Sequence, residues 1–295
     1  KLYLTHDLLT NGCKLEFEMS DKPNKKRGLQ KADKPYSLSD EQPAVSSSIA
    51  QRMSTKLSKE DVRWNSHLKD IRFMDFNSET QGSQIYHALI PDPAPYIRSV
   101  AREVMKCLYF TPEDSIPMLH RLDYIIREDS GISAKGGGDG YVNIFYSTNH
   151  IERSFVNNDT ARVDFETRGV LLHELTHAFQ LEPQGIGPYG GPDKAVWELI
   201  EGTADAVRVA CGGFHGEQDR PKSGSYHDGY RYIGYWFNWV RENKDNDFIR
   251  KMNRSCLEII PWSWDAAVKH VLGKEYTADS LWDEYLKAMG DGLQK

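Results

Sequence analysis

The most informative part of this chain is the run Gly169-Val-Leu-Leu-His-Glu-Leu-Thr-His-Ala-Phe179. Its apolar residues recur with helical spacing, which predicts a helix. Residues four apart lie on one face of a helix, so the imidazoles of His173 and His177 can reach the same metal ion. Glu174 lies beside that ion, where its carboxylate can accept a proton from metal-bound water. An exposed, charged helix face fits poorly because the flanking residues are apolar, and the run therefore predicts a zinc site.

A catalytic zinc needs a third protein ligand and one open position. The next predicted helix carries Glu198, Glu201 and Asp205. Glu201 and Asp205 share a face, so one can bind the ion while the other accepts a hydrogen bond from a ligand imidazole. We predict Glu201 as the ligand and Asp205 as the orienting carboxylate, and we expect Glu198 to face solvent. Gly202 and Ala204 are small, which should let this helix lie close to the first one.

Residue spacing excludes two other types of zinc peptidase. In the metzincin pattern the third ligand is a histidine six residues after the second, and Pro183 occupies that position here. The aspartate-ligand enzymes carry GTxxD, whereas Gly202-Thr203 is followed by Ala204-Asp205, which is one residue too short. Of these types of zinc peptidase, the spacing leaves the one in which a glutamate is the third ligand.

Peptide hydrolysis also needs a hydrogen-bond donor for the developing oxyanion. The segment at residues 225–230 supplies three candidates, Tyr226, His227 and Tyr230, of which we take Tyr230 as the first choice. The predicted strand at residues 141–146 precedes the zinc helix and is a candidate to lie along the cleft and pair with extended substrate.

The order of the predicted elements indicates an α+β fold, with strands before most of the helices. Strands are predicted at residues 71–76, 122–126 and 141–146, and helices at 95–109, 167–181, 197–209, 230–240, 248–252, 264–271 and 281–289. The glycine run at residues 136–140 is interpreted as a turn, because it enters a strand and lacks the ending of a phosphate-binding loop.

Composition divides the chain into three parts. Residues 1–20 have the pattern of two short strands around the turn Asn11-Gly12. Residues 21–61 are polar and proline-containing, which is typical of a linker, and residues 62–295 form the main domain. The first residues do not resemble a natural start, so we expect a longer protein.

Charge and hydropathy exclude two classes of partner. The formal net charge is −6, and nucleic-acid-binding domains usually carry a basic face. The largest basic cluster lies in the predicted linker, where we interpret it as solvated; it comprises Lys22, Lys25, Lys26, Arg27, Lys31 and Lys34. No run of about 18 apolar residues occurs, so no membrane span is predicted.

The four cysteines do not form a metal site by their spacing. They are Cys13, Cys107, Cys211 and Cys256, and none belongs to a CxxC pair. Cys107 lies in an apolar helical pattern and is predicted to be a buried thiol. The sequence does not decide whether two of the other cysteines form a disulfide.

Four ordered motifs resemble the plant basic secretory protein family, a group of inferred zinc metallopeptidases with bacterial members. They are His173-Glu174-x-x-His177-x-x-Gln180, Leu199-Ile200-Glu201-Gly202-x-Ala204-Asp205, Asp228-Gly229-Tyr230 and Leu281-Trp282-x-x-Tyr285. The resemblance, over residues 62–290, implies a zincin fold with a mixed sheet, an active-site helix in its upper part and a mainly helical C-terminal part.

The same resemblance implies a gluzincin-type site with Zn²⁺ on Glu201, and it places Gln180 near the ion. It also implies a secreted or cell-envelope location, such as the bacterial periplasm or surface. The family name says basic, whereas this chain is slightly acidic. That difference weakens analogies of partner or tissue and leaves the site chemistry untouched.

A second, short resemblance concerns the start of the chain. Residues 3–7 and 15–19 are similar to the C-terminal end of exo-α-mannosidases of glycoside hydrolase family 92. This implies the tail of a sugar-cleaving domain, fused to or beside the peptidase domain. His6 and Asp7 would then be structural, and no glycosidase activity is assigned.

We therefore expect zinc-dependent hydrolysis of peptide bonds in a protein or glycoprotein substrate, with Glu174 as general base. Two alternatives stay open: a glycopeptidase that acts on glycosylated proteins, and a non-catalytic binding module built on a zincin scaffold and attached to a glycosidase.

Overall fold

The computed structural model describes residues 57–214 and 216–291. The predicted strands within residues 1–20, most of the predicted linker and Cys13 lie outside the described residues. The first described helix begins at Lys59, so the predicted domain boundary at residue 62 falls within a helix.

The described part of the chain contains four strands and ten α-helices. The strands are β1 (Leu68–Asp75), β2 (Leu119–Arg127), β3 (Ser133–Gly138) and β4 (Tyr141–Ser147). The helices are α1 (Lys59–Asn65), α2 (Gln81–Leu89), α3 (Pro93–Leu108), α4 (Thr148–Ser154), α5 (Thr160–Phe179), α6 (Lys194–Ala210), α7 (Tyr230–Asn243), α8 (Phe248–Glu258), α9 (Trp264–Leu272) and α10 (Ala278–Asp291).

The strands form one mixed sheet in the order β1-β2-β4-β3. β1, β2 and β4 are parallel, and β3 pairs antiparallel with β4 in a hairpin. The α+β class and the mixed sheet agree with the prediction. Strand β4 lies between two neighbours, however, so the prediction that residues 141–146 pair with substrate is wrong; β3 occupies that edge of the sheet.

The predicted glycine turn is also partly wrong, because its first three residues belong to β3. Gly136 and Gly137 approach β4 so closely that a Cβ atom would lie 2.9 Å from Asn143 and 2.3 Å from the Tyr141 carbonyl oxygen. The turn itself consists of Asp139 and Gly140, both with positive φ. Glycine is therefore required at Gly137, which has φ 79° and lies against backbone, whereas the atom nearest to Gly136 belongs to the Asn143 side chain.

Helices α5, α6 and α7 pack side by side and carry the candidate site residues. Helix α5 begins where Asp159 accepts a hydrogen bond from the Arg162 backbone N–H at 2.9 Å, as an N-cap residue does. The prediction that Gly202 brings α6 close to α5 is wrong. A Cβ atom at Gly202 would lie 2.4 Å from Ile233 on α7, so the close approach joins α6 to α7.

The C-terminal helices α7 to α10 enclose an aromatic cluster, in keeping with the predicted helical C-terminal part. Its buried members are Tyr226, Trp236, Phe237, Phe248, Trp262, Trp264 and Trp282. Aromatic side chains bury large apolar areas, so this cluster stabilises the packing behind the site. No helix among residues 57–214 and 216–291 has the length and apolar character needed to cross a membrane.

The cysteines differ from the prediction in one respect. Cys107, in the last turn of α3, is half-buried rather than buried, and its thiol lies close to that of Cys211 at the end of α6. The carbonyl oxygen of Cys211 accepts a hydrogen bond from Arg168 at 2.7 Å. Cys256 is buried in α8, and the cysteines in the described ranges carry free thiols.

Candidate metal centre

The side chains of His173, His177 and Glu201 converge where α5 and α6 pack together. The Nε2 atoms of the two histidines are 3.0 Å apart, and Glu201 Oε2 lies 3.3 Å from one and 3.5 Å from the other. A tetrahedral zinc with ligands at about 2.0–2.1 Å would separate its ligand atoms by about 3.3 Å. The three donor atoms are therefore spaced as zinc ligands require.

The charges around these atoms also favour a cation. His173 and Glu201 are 1% and 0% exposed, and Glu174 and Asp205 are buried beside them. Burial opposes protonation of His173, but Asp205 and Glu201 raise the pKa of His173 to about 10. Burial alone would raise the pKa of Glu201, yet the two imidazoles hold it well below its usual value. A positive charge at this position would therefore stabilise the buried carboxylates, and a divalent cation would supply it.

Asp205 forms a hydrogen bond with the first imidazole. Its Oδ1 lies 2.8 Å from His173 Nδ1, and both side chains are buried. When Nδ1–H donates to this carboxylate, the lone pair on Nε2 points towards the cluster. The structure thus places Asp205 where the sequence predicted an orienting carboxylate.

Gln180 lies beside the second imidazole, with its side-chain amide 2.9 Å from His177 Nδ1. A metal-binding His177 must donate Nδ1–H and keep Nε2 unprotonated. The atom at 2.9 Å is Gln180 Nε2, and Oε1 has no hydrogen-bond partner among the described residues. Exchange of the amide oxygen and nitrogen, which are assigned from the hydrogen-bond network, would place Oε1 against Nδ1 as acceptor. Gln180 then holds His177 as Asp205 holds His173.

Tyr189 is a site residue that the sequence did not reveal. Its hydroxyl donates a hydrogen bond to Glu201 Oε1 at 2.6 Å. Tyr189 lies in the loop between α5 and α6, where no periodic pattern indicates which side chain turns inward. The sequence offered one indication that this loop could reach the site, namely its position between the two helices that carry the candidate ligands.

Glu174 lies next to the two candidate ligand histidines on α5 and is fully buried. Burial raises its pKa, and the nearby imidazoles of His173 and His177 partly offset that effect. Ser133, the first residue of β3, lies close to the Glu174 carboxyl, while its hydroxyl donates to the Phe145 carbonyl oxygen. Glu174 Oε2 has no hydrogen-bond partner within the described ranges. A carboxylate oxygen that is available to accept a proton is what a general base requires.

Tyr230, the first choice for the oxyanion donor, stacks on the candidate ligand His173. Its ring centroid lies 6.2 Å from that of His173, with an interplanar angle of 15°. Gly229, with φ 68°, turns the chain so tightly that a Cβ atom would lie 2.9 Å from the Trp197 ring. Tyr230 itself has φ 41°, a strained value for a residue with a side chain.

The other two candidates have different surroundings. The hydroxyl of Tyr226 donates to Asp279 at 2.8 Å, and its ring packs in the aromatic cluster, so Tyr226 is a structural residue. His227 is half-exposed, and its Nδ1 lies 3.0 Å from both carboxylate oxygens of Glu198.

The expectation that Glu198 faces solvent is wrong. Its side chain is 3% exposed and also accepts a hydrogen bond from the Trp264 indole at 2.9 Å. Buried carboxylates persist in proteins when donors surround them, and here the donors come from α9 and from the turn before α7. No pattern near Glu198 in the sequence could show this.

A family model described as BSP, peptidase of plants and bacteria, matches residues 68–285. This chain belongs to the basic secretory protein family. The predicted resemblance is thereby confirmed, and the family description supports a peptidase-type function. No curated protein and no solved structure matches the chain.

In this member of the basic secretory protein family, the matched region runs from β1 into α10 and contains every residue of the centre. Two imidazole nitrogens and one carboxylate oxygen can hold a single metal ion, and a second carboxylate stands beside them. Such an arrangement suits hydrolysis by an activated water. The cluster is consistent with a metallopeptidase.

Proposed function

We propose that this chain is a zinc-dependent peptidase with a zincin fold of the glutamate-ligand, or gluzincin, type. One observation carries the proposal: His173, His177 and Glu201 point three donor atoms at one position, beside the buried carboxylate of Glu174. Two imidazole nitrogens with one carboxylate oxygen are a typical donor set for a catalytic zinc.

His173, His177 and Glu201 would hold the ion, which when bound polarises the scissile carbonyl and activates water. Glu174 takes a proton from the attacking water and returns it to the leaving amine. Its raised pKa, caused by burial, suits both steps, because the proton must be accepted and then released. Asp205 fixes the ring orientation of His173.

Tyr230 is proposed as the donor to the tetrahedral oxyanion. Its stacking on His173 and its strained backbone support this role, since such strain is concentrated at functional sites. His227 is the second candidate, because its Nδ1 bonds to the buried Glu198 while the side chain as a whole is half-exposed.

The substrate is proposed to be a protein or glycoprotein chain. Strand β3 is bonded on one side to β4 and lies beside Glu174, so its other edge can pair with an extended peptide. A glycopeptidase and a non-catalytic binding module beside a glycosidase are the alternatives. Both alternatives, and the proposed neighbouring glycosidase domain, rest on the similarity of the first residues of the chain to the end of a mannosidase. A secreted or cell-envelope location is proposed from the family resemblance.

Hydrolysis of casein and of a glycoprotein, with and without a chelator, tests the proposed function. We expect chelator-sensitive cleavage that Glu174→Gln lowers at least about 100-fold while metal content stays constant, because only the base is lost. Glu275→Gln, at an exposed position, is the matched control and should cleave normally. Full activity of Glu174→Gln would contradict the mechanism. No chelator-sensitive cleavage of any substrate would favour the binding module, and faster cleavage of glycosylated than bare peptides would favour the glycopeptidase.

A further inference from the structure

We propose that Tyr189 is a positioning residue that keeps Glu201 a one-oxygen metal ligand and ties the loop at residues 181–193 to the metal centre. The inference rests on the proposed function, because it takes Glu201 as a ligand. It assigns a task to a side chain outside the four family motifs.

The two carboxylate oxygens of Glu201 have separate surroundings. Oε2 lies 3.3 and 3.5 Å from the two imidazole nitrogens, whereas Oε1 accepts the Tyr189 hydroxyl at 2.6 Å. Hydrogen bonds to ionised groups are short and strong, and burial strengthens them further. Tyr189 therefore directs Oε2 towards the ion by holding Oε1 away from it.

The number of bound oxygens matters for catalysis. A carboxylate can bind a metal through one or both oxygens, and a second bound oxygen would take a further coordination position. A catalytic zinc must keep a position open for water. A hydroxyl that holds Oε1 at 2.6 Å preserves that open position.

The loop that carries Tyr189 is fixed at its base and open at its tip. The backbone carbonyl oxygen of Gln184 accepts a hydrogen bond from the backbone N–H of Trp262 at 2.9 Å. At the tip, Gly187 and Gly190 have positive φ, and added Cβ atoms there would meet nothing within 4 Å. The half-buried Tyr189 connects this open tip to a buried ligand.

The connection makes loop order and metal binding interdependent. Anything that binds the native arrangement better stabilises it, and such coupling is reciprocal. A metal ion that fixes Glu201 therefore also fixes the hydroxyl bonded to it, and with it the loop tip. Removal of the hydroxyl should weaken metal binding and free the tip together.

Titration of the metal-free protein with Co²⁺ tests the proposal without any substrate. Cobalt is the probe because four-coordinate Co²⁺ absorbs visible light more strongly than five-coordinate Co²⁺. For Tyr189→Phe we expect about 10- to 100-fold weaker binding, the usual effect of removing a partner of a ligand. We also expect weaker visible absorption at saturation, and loss of the metal-induced protection of residues 186–191 from hydrogen exchange.

Tyr141→Phe is the matched control, because Tyr141 is exposed at the start of β4. It should bind cobalt like the wild type. A wild-type chain that binds no metal would overturn both this proposal and the proposed function. The other decisive result is a wild type that binds one equivalent of Co²⁺ and a Tyr189→Phe variant that matches it in affinity, spectrum and loop protection. That result would overturn the role of Tyr189 alone.

Discussion

Each ligand side chain of the proposed metal centre has its own hydrogen-bond partner. Asp205 holds His173, Gln180 holds His177, and the third ligand has a partner of its own in the loop before α6. Partners of this kind fix the orientation of a ligand before the metal arrives, which lowers the entropy lost on binding. The centre is therefore pre-organised at the level of single residues.

Asp205→Asn tests this pre-organisation. The variant keeps the shape of the side chain but removes the charge that favours the Nδ1–H form of His173. We expect zinc affinity, measured by competition with a chromophoric chelator, to fall about 10- to 100-fold. Asp283→Asn, at an exposed position on α10, should bind as tightly as the wild type. Equal affinities for both variants would show that Asp205 does not orient the ligand.

Tyr230→Phe tests the oxyanion donor. Loss of one such donor typically lowers kcat about 100- to 1000-fold, and KM should change little, because the bond forms in the transition state. Zinc content should stay constant, as Tyr230 stacks on a ligand and is not one. A normal kcat in Tyr230→Phe, together with a large loss in His227→Ala, would transfer the role to His227.

At the residue scale, the sequence predicted those site residues whose positions follow from the spacing of residues along a helix. The positions of His173, His177 and Glu201 follow from two helices and their periodicity, and the structure brings these side chains together. The burial of Glu198 does not follow, because its partner Trp264 lies 66 residues further along the chain. Tyr189 was missed for a similar reason, since a loop has no period.

At the element scale, the contact between α6 and α7 sets the position of two site carboxylates. Gly202 lies against Ile233, and Gly234 lies against Asp205, where a Cβ atom would come within 2.9 Å of the Asp205 Cβ. Larger residues at either glycine would separate the helices and shift Asp205 away from His173.

Gly202→Ala tests this contact. The added methyl group would meet a β-branched side chain at 2.4 Å, and overpacking of this kind costs about 1–3 kcal/mol. We expect a lower free energy of unfolding in urea. Gly290→Ala is the matched control in helix α10, where an added Cβ meets nothing within 4 Å and should stabilise the helix by about 0.5–1 kcal/mol. A Gly202→Ala protein as stable as the control would contradict the close packing.

The sequence predicted most of the long helices, but it gave α8 only residues 248–252 and missed α1, α2 and α4. Helix α7 was predicted at residues 230–240 and extends to residue 243. Strand β3 was missed because its glycines show no alternation of apolar and polar side chains, although register with β4 fixes them as a strand. Because of this error, the sequence placed the proposed substrate-pairing strand at β4, which lies inside the sheet, and not at β3, which lies at its edge.

At the scale of the whole molecule, the metal centre joins α5 to α6, and α6 joins the aromatic C-terminal helices. An ion bound there should stabilise the native chain as a whole. At a free zinc concentration 100 times Kd, the gain is about 2.7 kcal/mol.

Thermal unfolding with and without zinc measures this gain. We expect zinc to raise the Tm of the wild type and to leave that of His177→Ala almost unchanged, because one of three ligands is gone. His270→Ala, which removes an exposed histidine from α9, should respond to zinc like the wild type. Equal zinc responses in all three proteins would place the stabilising ion elsewhere.

The central claim is that one zinc ion binds between α5 and α6. Diffraction data collected on either side of the zinc absorption edge would locate the ion directly through its anomalous signal. We expect one peak at about 2.0–2.2 Å from Nε2 of His173, Nε2 of His177 and Oε2 of Glu201. A zinc-supplied crystal with no peak at this position, or with the ion held by other side chains, would contradict the account.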